Sequence, residues 1–133
     1  MKTLLIEDEF VSLEKLVALL CPYGHVSTAT NGKHALDLFG QAIRRGKPFD
    51  LVTFDLGLPD IPGHTLIRSM NKLENGYKTK PCVKFVISGN NDHASVMNCA
   101  KLCHAFIVKP IRRELFIDRL EQFGLIPAEA TLF

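Results

Sequence analysis

The sequence of 133 residues predicts a single α/β domain in which helices cover both faces of a doubly wound parallel sheet. Five short runs of aliphatic, β-branched and aromatic residues alternate with segments whose apolar residues recur at helical spacing. Because polar residues rarely interrupt these runs, they are typical of strands buried on both faces, as in parallel sheets. The chain is 47% hydrophobic, enough for one sizeable core. A second folded domain is not expected in this length.

The strands are predicted at residues 3–6, 26–29, 49–54, 83–87 and 105–108. Each of the five predicted helices has one apolar face to bury. In chain order these faces are Phe10, Leu13, Leu16, Val17 and Leu20; Ala35, Leu36, Phe39, Ala42 and Ile43; Leu66, Ile67, Met70 and Leu73; Ala94, Met97 and Ala100; and Leu115, Phe116, Leu120 and Phe123. Asn31 is a candidate N-cap of the second helix and Asp92 of the fourth, while residues 76–81 should interrupt the chain before the fourth strand.

Composition argues against several classes of protein. There is no apolar run of about 18 residues, and Glu7 and Asp8 follow the start too closely for a signal peptide, so we expect a cytoplasmic protein without a membrane partner. The formal charge of +2, with basic clusters only at 44–47 and 112–113, does not favour nucleic acid. The four cysteines lack paired CxxC spacing and are expected to be reduced core thiols, with a metal site at Cys99 and Cys103 as a minor alternative.

Reactive side chains follow four of the predicted strands. Ligands of open α/β sheets bind at the carboxyl ends of the strands, near the point where the strand order reverses. Glu7 and Asp8 follow the first strand, Asp55 the third, Ser88 the fourth and Lys109 the fifth. In the flavodoxin-like order 2-1-3-4-5, the first and third strands are neighbours and the fourth and fifth lie beside them. All these side chains would then share one edge of the sheet.

Three carboxylates at one edge repel one another unless a cation offsets their charge. Oxygen ligands without histidine or thiolate favour Mg²⁺, with Mn²⁺ as a possible substitute. A metal ion and the Lys109 ammonium beside Asp55 would form a phosphoryl pocket with Asp55 as the nucleophile. Gly57 would leave its carbonyl free to turn toward the metal. Taken singly, Asp55 could be a turn residue, and Glu7 and Asp8 could cap the first helix.

The ordered set Glu7-Asp8, Asp55-Leu-Gly-Leu-Pro-Asp, Ser88-Gly89 and Lys109-Pro110 resembles the receiver domain of two-component response regulators. Each motif is weak alone, but four in this order at four strand ends are specific. The likeness covers about residues 2–124, so we expect a receiver domain over 1–124 and a loosely docked tail over 125–133. With so short a tail, we expect a receiver without its own output domain.

The resemblance implies a role for each residue of the set. Asp55 would accept a phosphoryl group from a sensor histidine kinase or a phosphotransfer protein. Asp8, Asp55 and the Gly57 carbonyl would bind Mg²⁺ directly, and Glu7 would act mainly through a metal-bound water. Lys109 would contact the phosphoryl oxygens, and its peptide bond to Pro110 would be cis. The protein would catalyse only its own phosphorylation and dephosphorylation.

The resemblance also implies a switch. The Ser88 hydroxyl would hydrogen-bond the phosphoryl group, and Phe106 would swing inward, although it could also be an ordinary core aromatic. The surface changed for a downstream protein partner would be helix 4, strand 5 and helix 5, residues 92–124. Departures from the family are Gly89 in place of the more frequent alanine and Phe106 without a tyrosine hydroxyl. Gly57 and Asn90 occupy positions that influence the phosphoryl lifetime.

Three other functions share parts of this pattern, and the sequence argues against two of them. A receiver-like module could bind its partner regardless of phosphorylation. Phosphatases of the haloacid dehalogenase type also use a strand-end aspartate and Mg²⁺, but they need an acid two residues later, where this chain has Gly57. A flavin-binding protein would cradle phosphate in the first loop, where acids 7–9 would repel it.

Overall fold

A computed structural model of the chain describes residues 1–89 and 93–128. Within these residues five strands form one sheet: β1 (Lys2–Ile6), β2 (His25–Ala29), β3 (Leu51–Asp55), β4 (Val83–Ser88) and β5 (Ala105–Val108). The helices are α1 (Phe10–Leu20), α2 (Gly32–Arg44), α3 (Gly63–Tyr77), α4 (His93–Cys99) and α5 (Arg113–Gln122). A short 3-10 helix, Cys21–Tyr23, follows α1.

The sheet is parallel throughout, with the strand order β2-β1-β3-β4-β5. This order confirms the prediction. Side chains alternate between two cores, because successive residues of a strand point to opposite faces. On β1, Leu4 and Ile6 face a core shared with α2 and α3, whereas Leu5 faces a core shared with α1 and α5. Helices therefore pack on both faces, as the sequence predicts.

The third strand starts later than predicted, at Leu51 rather than at residue 49. Phe49 instead packs its ring on Phe39, with the ring centroids 6.4 Å apart. Asp50 is held by the first strand, since its amide donates to the Lys2 carbonyl at 2.7 Å and its carboxylate accepts from the Lys2 amide. β3 and β4 also run one residue further than predicted, so that Asp55 and Ser88 are the last residues of their strands.

Side-chain caps begin two of the helices. Asn31 caps α2 as predicted, accepting from the His34 amide at 2.8 Å. α1 is capped by Glu9, whose carboxylate accepts from the amides of Val11 and Ser12, rather than by Glu7 or Asp8. The predicted cap Asp92 lies outside the described residues. The interruption predicted at residues 76–81 is confirmed but begins two residues later, because α3 continues to Tyr77 and has Lys78 as its C-cap.

Several side chains predicted to be buried are exposed. Met97 is 75% exposed, Phe10 69% and Leu115 54%, and Ala94 and Ala100 are also at the surface. The predicted apolar face of the fourth helix is therefore wrong. Instead α4 buries Cys99 against α3, and α5 buries Ile117 together with the predicted Phe116 and Leu120. The predicted face of α5 is thus confirmed except for Leu115, whereas in α4 the packing of neighbouring elements selects a side that apolar spacing did not identify.

A buried ion pair joins α3 to β4. The Lys84 Nζ lies 2.6 Å from the Glu74 Oε1, and both side chains are nearly inaccessible to solvent. Each charge has a second partner, because Glu74 accepts from the Cys82 amide and Lys84 donates to the Cys82 carbonyl. Charges this deep are tolerated only when they are paired and hydrogen-bonded. The pair therefore fixes the C-terminal end of α3 to the start of β4.

Cys21, Cys82 and Cys103 are not joined in disulfides among the described residues. Cys82 and Cys99 are buried and Cys103 is half-buried, whereas Cys21 is exposed, so the predicted core position is wrong for Cys21. Burial raises the pKa of Cys82 to about 12 and that of Cys103 to about 11. In the part of the chain that is described, the helices are too short or too polar to cross a membrane.

Candidate functional site

Four strand ends meet at one edge of the sheet. Glu7 follows β1, Asp55 ends β3, Ser88 ends β4 and Lys109 follows β5. Neighbouring strands hold these positions in register, since Asp55 pairs with Ile87, the residue before Ser88, and Ser88 pairs with Val108, the residue before Lys109. The Lys109 amide also donates to the Ser88 carbonyl at 2.8 Å. The sheet therefore brings together residues that are far apart in the sequence.

Three carboxylates converge at this edge. Glu7, Asp8 and Asp55 each offer an oxygen, and these oxygens lie within 4.8 Å of one another. Glu7 and Asp55 are buried, whereas Asp8 is exposed, so the cluster opens toward solvent on one side. Among the described residues no other group of three or more His, Cys, Asp and Glu side chains has metal-site spacing, so Cys99 and Cys103 belong to no such group.

Lys109 lies against two of the carboxylates. Its Nζ is 3.1 Å from the Glu7 Oε1 and 3.7 Å from the Asp55 Oδ1. Partial burial alone would lower the pKa of Lys109, but the Glu7 hydrogen bond and the nearby carboxylates raise it above its ordinary value. The ammonium therefore stays charged. The Lys109-Pro110 peptide bond is cis, as predicted.

One positive charge does not neutralise three negative ones. The pKa of Glu7 is raised to about 7. Burial makes the largest contribution, and the hydrogen bond with Asp55 and the Asp55 charge raise it further. Burial would also raise the pKa of Asp55, but hydrogen bonds from Glu7 and from the Gly57 amide, with the Lys109 charge, hold it below its ordinary value. Asp55 is therefore the more acidic of the two carboxyl groups. An all-oxygen, electron-rich cluster of this kind fits a divalent cation such as Mg²⁺.

The loop between β3 and α3, residues 56–62, begins at the cluster. The Leu56 amide donates to the Ile87 carbonyl at 3.4 Å, and the Gly57 amide donates to the Asp55 Oδ1 at 3.2 Å. The Leu56 side chain lies against the start of α3, since a Cβ at Gly63 would be 2.6 Å from the Leu56 Cδ2. The loop therefore folds back closely on the residue after Asp55.

The family model of the response regulator receiver domain matches residues 3–121. The chain belongs to this family. Its fold is similar to that of CheY-like receiver domains from Methanospirillum hungatei JF-1, with 21% identity, a TM-score of 0.74 and coverage of 92% of this chain and 91% of that one. A second CheY-like receiver domain, from Methylobacillus flagellatus, has 22% identity, a TM-score of 0.77 and coverage of 92% and 97%.

A third similar structure is the receiver domain of the Saccharomyces cerevisiae response regulator Ssk1, co-crystallised with the histidine phosphotransfer protein Ypd1. It has 18% identity and a TM-score of 0.76, and the match covers 94% of this chain and 89% of that chain. No curated protein sequence matches the chain. The family and the strand order agree with the receiver domain that the strand-end motifs indicate.

Ser88 and Phe106 lie on neighbouring strands of the receiver domain. Ser88 is buried at the end of β4. Phe106 pairs in register with Val86 and packs, half-buried, against the core on the α3 face together with Leu102 and Cys103. Val108, Met97 and Leu115 leave apolar side chains exposed on β5, α4 and α5. Asn90 and the beginning of the predicted partner surface lie outside the described residues.

The first residues after Gly124 stay packed on the domain. The Leu125 amide donates to the Leu120 carbonyl at 2.9 Å, and Leu125 and Ile126 pack against the α1/α5 core. Pro127 and Ala128 are exposed. Residues 129–133 lie outside the described residues, and the boundary at residue 124 stays a prediction.

Sequence reasoning missed Asp60, which lies in the loop after Asp55. The Asp60 carboxylate accepts hydrogen bonds from the Gly32 and Lys33 amides at the start of α2, a helix that lies earlier in the chain. A local signal was present, because aspartate is a preferred helix N-cap residue. However, the helix it caps starts 28 residues earlier, and Asn31 already accounts for the cap that the sequence led us to expect.

Proposed function

We propose that this receiver domain accepts a phosphoryl group on Asp55, with Mg²⁺, from a sensor histidine kinase or a phosphotransfer protein. The observation that carries the proposal is the convergence of the Glu7, Asp8 and Asp55 carboxylates with the Lys109 ammonium at one edge of the sheet. Membership of the receiver family supports it. A phosphotransfer protein is a reasonable phosphoryl donor because the similar receiver domain of Ssk1 was crystallised with one.

Asp8 and Asp55, with the Gly57 carbonyl, would hold the ion, and Glu7 would act mainly through a water bound to it. The oxygens of the three carboxylates lie close enough to serve one ion. Bound Mg²⁺ would offset the negative charge of the carboxylates and of the incoming phosphoryl oxygens. Mn²⁺ prefers the same oxygen ligands and is expected to substitute for it.

The reaction at Asp55 is a phosphoryl transfer. One Asp55 carboxylate oxygen attacks the phosphorus of a phosphohistidine and forms an O–P bond. The N–P bond breaks, and its electron pair returns to the imidazole nitrogen of the donor. Lys109, 3.7 Å from the Asp55 Oδ1, is placed to contact the phosphoryl oxygens as their charge is transferred. The chain's own catalysis is confined to this step and to the later hydrolysis.

The phosphoryl group would then act on the neighbouring strands. Ser88 ends β4 next to the Asp55 strand, so its hydroxyl can donate to a phosphoryl oxygen. Phe106 follows by moving inward, and the surface of α4, β5 and α5 changes for a downstream partner. Exposed apolar side chains at Met97, Val108 and Leu115 suit a protein partner there. One or two charge-assisted hydrogen bonds suffice to shift such an equilibrium.

Intact-mass measurement tests this function. The protein is incubated with a small acyl phosphate or phosphoramidate, with Mg²⁺ or with a chelator. We expect a gain of one phosphoryl group that requires Mg²⁺ and is lost in Asp55→Asn. Asp37→Asn is the matched control, because Asp37 is an exposed aspartate of α2. Phosphoryl gain in Asp55→Asn, or none in the unchanged chain, would contradict the proposal.

A further inference from the structure

Asp60 fastens the loop that follows Asp55 to the start of α2. Its Oδ1 accepts from the Gly32 amide at 2.8 Å and its Oδ2 from the Lys33 amide at 3.0 Å. Both amides belong to the first turn of α2, where backbone N–H groups have no partner within the helix. A carboxylate is favoured there by the hydrogen bonds and by the helix dipole. The Asp60 side chain thus binds two residues that precede it in the chain by 28 and 27 positions.

The contact is closely fitted on the side of α2 as well. A Cβ at Gly32 would lie 2.9 Å from the Ile61 Cβ and 2.9 Å from its Cδ1, so glycine leaves room for the Ile61 side chain. Ile61 is also partly buried against the core shared with α2 and α3. We call this contact, formed by Asp60 and Ile61 on one side and Gly32 and Lys33 on the other, the α2 clasp.

The α2 clasp contributes more to the loop than to the helix. α2 has its own cap at Asn31, which accepts from the His34 amide, and it is anchored by buried residues such as Ala35 and Phe39. The loop is held near its start by the hydrogen bonds of Leu56 and Gly57. The clasp holds it again at Asp60 and Ile61, so the Gly57 carbonyl, which follows the bonded Gly57 amide, lies between two attachments.

We propose that Asp60 is a positioning residue for the Mg²⁺ site, acting through the α2 clasp on Gly57. The inference rests on the proposed function, in which the Gly57 carbonyl contacts the ion. Asp60 itself does not touch the carboxylate cluster. Groups that hold metal ligands in position without contacting the metal typically lower metal affinity by about 10–100-fold when they are removed. A backbone ligand in a loop depends on such support because it has no side-chain rotamer to adjust.

A titration of the unphosphorylated chain with Mg²⁺ alone, in which ¹H–¹⁵N NMR spectra report binding, tests the inference. Asp60→Ala is expected to weaken Mg²⁺ binding by about tenfold. Gly32→Ala is expected to weaken it as well, because the new Cβ displaces Ile61 while the Asp60 charge is kept. Asn31→Ala is the matched control, since it removes a cap from the same helix end without touching the clasp. It should lower the melting temperature but leave the affinity unchanged.

The possible outcomes separate positioning from other effects. Equal weakening in Asn31→Ala would mean that any loss of α2 stability lowers affinity, and it would overturn the inference. Weakening in Asp60→Ala but not in Gly32→Ala would assign the effect to the Asp60 charge and would also overturn it. Unchanged affinity in both clasp variants has the same consequence. If the unchanged chain shows no saturable Mg²⁺ response, the proposed function fails and this inference fails with it.

Discussion

Lys109 and Glu7 form an ion pair with 3.1 Å between Nζ and Oε1, although they are 102 residues apart in the chain. Glu7 is almost completely buried, whereas about a third of the Lys109 side chain is exposed. The pair lies at the closed side of the carboxylate cluster, with Asp55 on the same ammonium. Lys109 therefore holds two acids together that would otherwise repel each other, and it keeps a partly exposed ammonium beside Asp55.

Lys109→Ala is predicted to slow phosphoryl transfer to Asp55 by at least about 100-fold, because removing one preorganised donor at a site of developing charge typically has such an effect. The rate of phosphoryl gain from an acyl phosphate, followed by intact mass, measures it. Lys72→Ala is the control, since Lys72 is an exposed lysine of α3. A rate within a few-fold of the unchanged chain would assign Lys109 a structural role only.

Ser88→Ala is predicted to leave phosphoryl uptake in place but to reduce the response of β5 and α5. The reason is that the hydroxyl is expected to bond the phosphoryl group only after transfer. NMR shifts of Val108 and Leu115 before and after phosphorylation measure the response. Ser69→Ala is the control, because the Ser69 hydroxyl donates within α3 to the Thr65 carbonyl. Shifts in Ser88→Ala as large as those of the unchanged chain would show that the switch does not use this hydroxyl.

The parallel strands and the strand-end cluster could be predicted from patterns along the chain, whereas the strand order was taken from the flavodoxin-like arrangement that such sheets commonly adopt. Apolar runs mark parallel strands, and the residues that follow them must meet at one edge. The apolar face of α4 could not be predicted, because Ala94, Met97 and Ala100 have helical spacing yet Cys99 is the residue that packs on the core. In a helix this short, neighbouring elements decide which side is buried.

Two polar contacts were not predicted because their partners lie on different elements of the fold. Asp60 caps a helix that begins 28 residues earlier, and the partner of Lys84 is Glu74 on another element. Local patterns do not report such pairings. A signal for the second was present, since a lysine inside an apolar strand of a parallel sheet requires a buried partner. The identity of that partner became clear only from the packing of α3 on β4.

Glu74→Gln is predicted to destabilise the fold by about 3–5 kcal/mol, because it leaves the buried Lys84 ammonium without a counter-charge. Urea unfolding measures the change in the free energy of unfolding. The double variant Glu74→Gln with Lys84→Met should recover most of the loss, since the glutamine oxygen can still accept from the Cys82 amide. A double variant as unstable as the single one would show that the loss comes from packing rather than from an unpaired charge.

His104 is predicted to make stability depend on pH. Its Nδ1 accepts from the Lys84 amide at 3.0 Å, and partial desolvation of the ring and the Lys84 charge lower the pKa of His104 below 6.5, although the Glu74 charge opposes this. The folded state therefore favours the neutral ring, and the unfolded chain takes up the proton first. This contribution is complete above about pH 6.5 and declines as the pH falls below it.

Urea unfolding of the unchanged chain and of His104→Gln at several pH values between about 7.5 and 5 measures this dependence. Glutamine keeps an oxygen that can accept from the Lys84 amide but does not titrate. The stability of the unchanged chain relative to the variant should decrease toward the acidic end. A difference that is constant with pH, or that grows on acidification, would contradict the prediction.

The most direct test of the central claim is to locate the phosphoryl group chemically. Borohydride reduces an aspartyl phosphate to homoserine, so peptide mass spectrometry after phosphorylation and reduction identifies the acceptor residue. The site described above predicts homoserine at position 55 when Mg²⁺ is present and not when it is absent. The aspartate at position 8 should be unmodified in both cases. Homoserine at another position, or a phosphoryl group that survives borohydride on a different side chain, would contradict the assignment of Asp55.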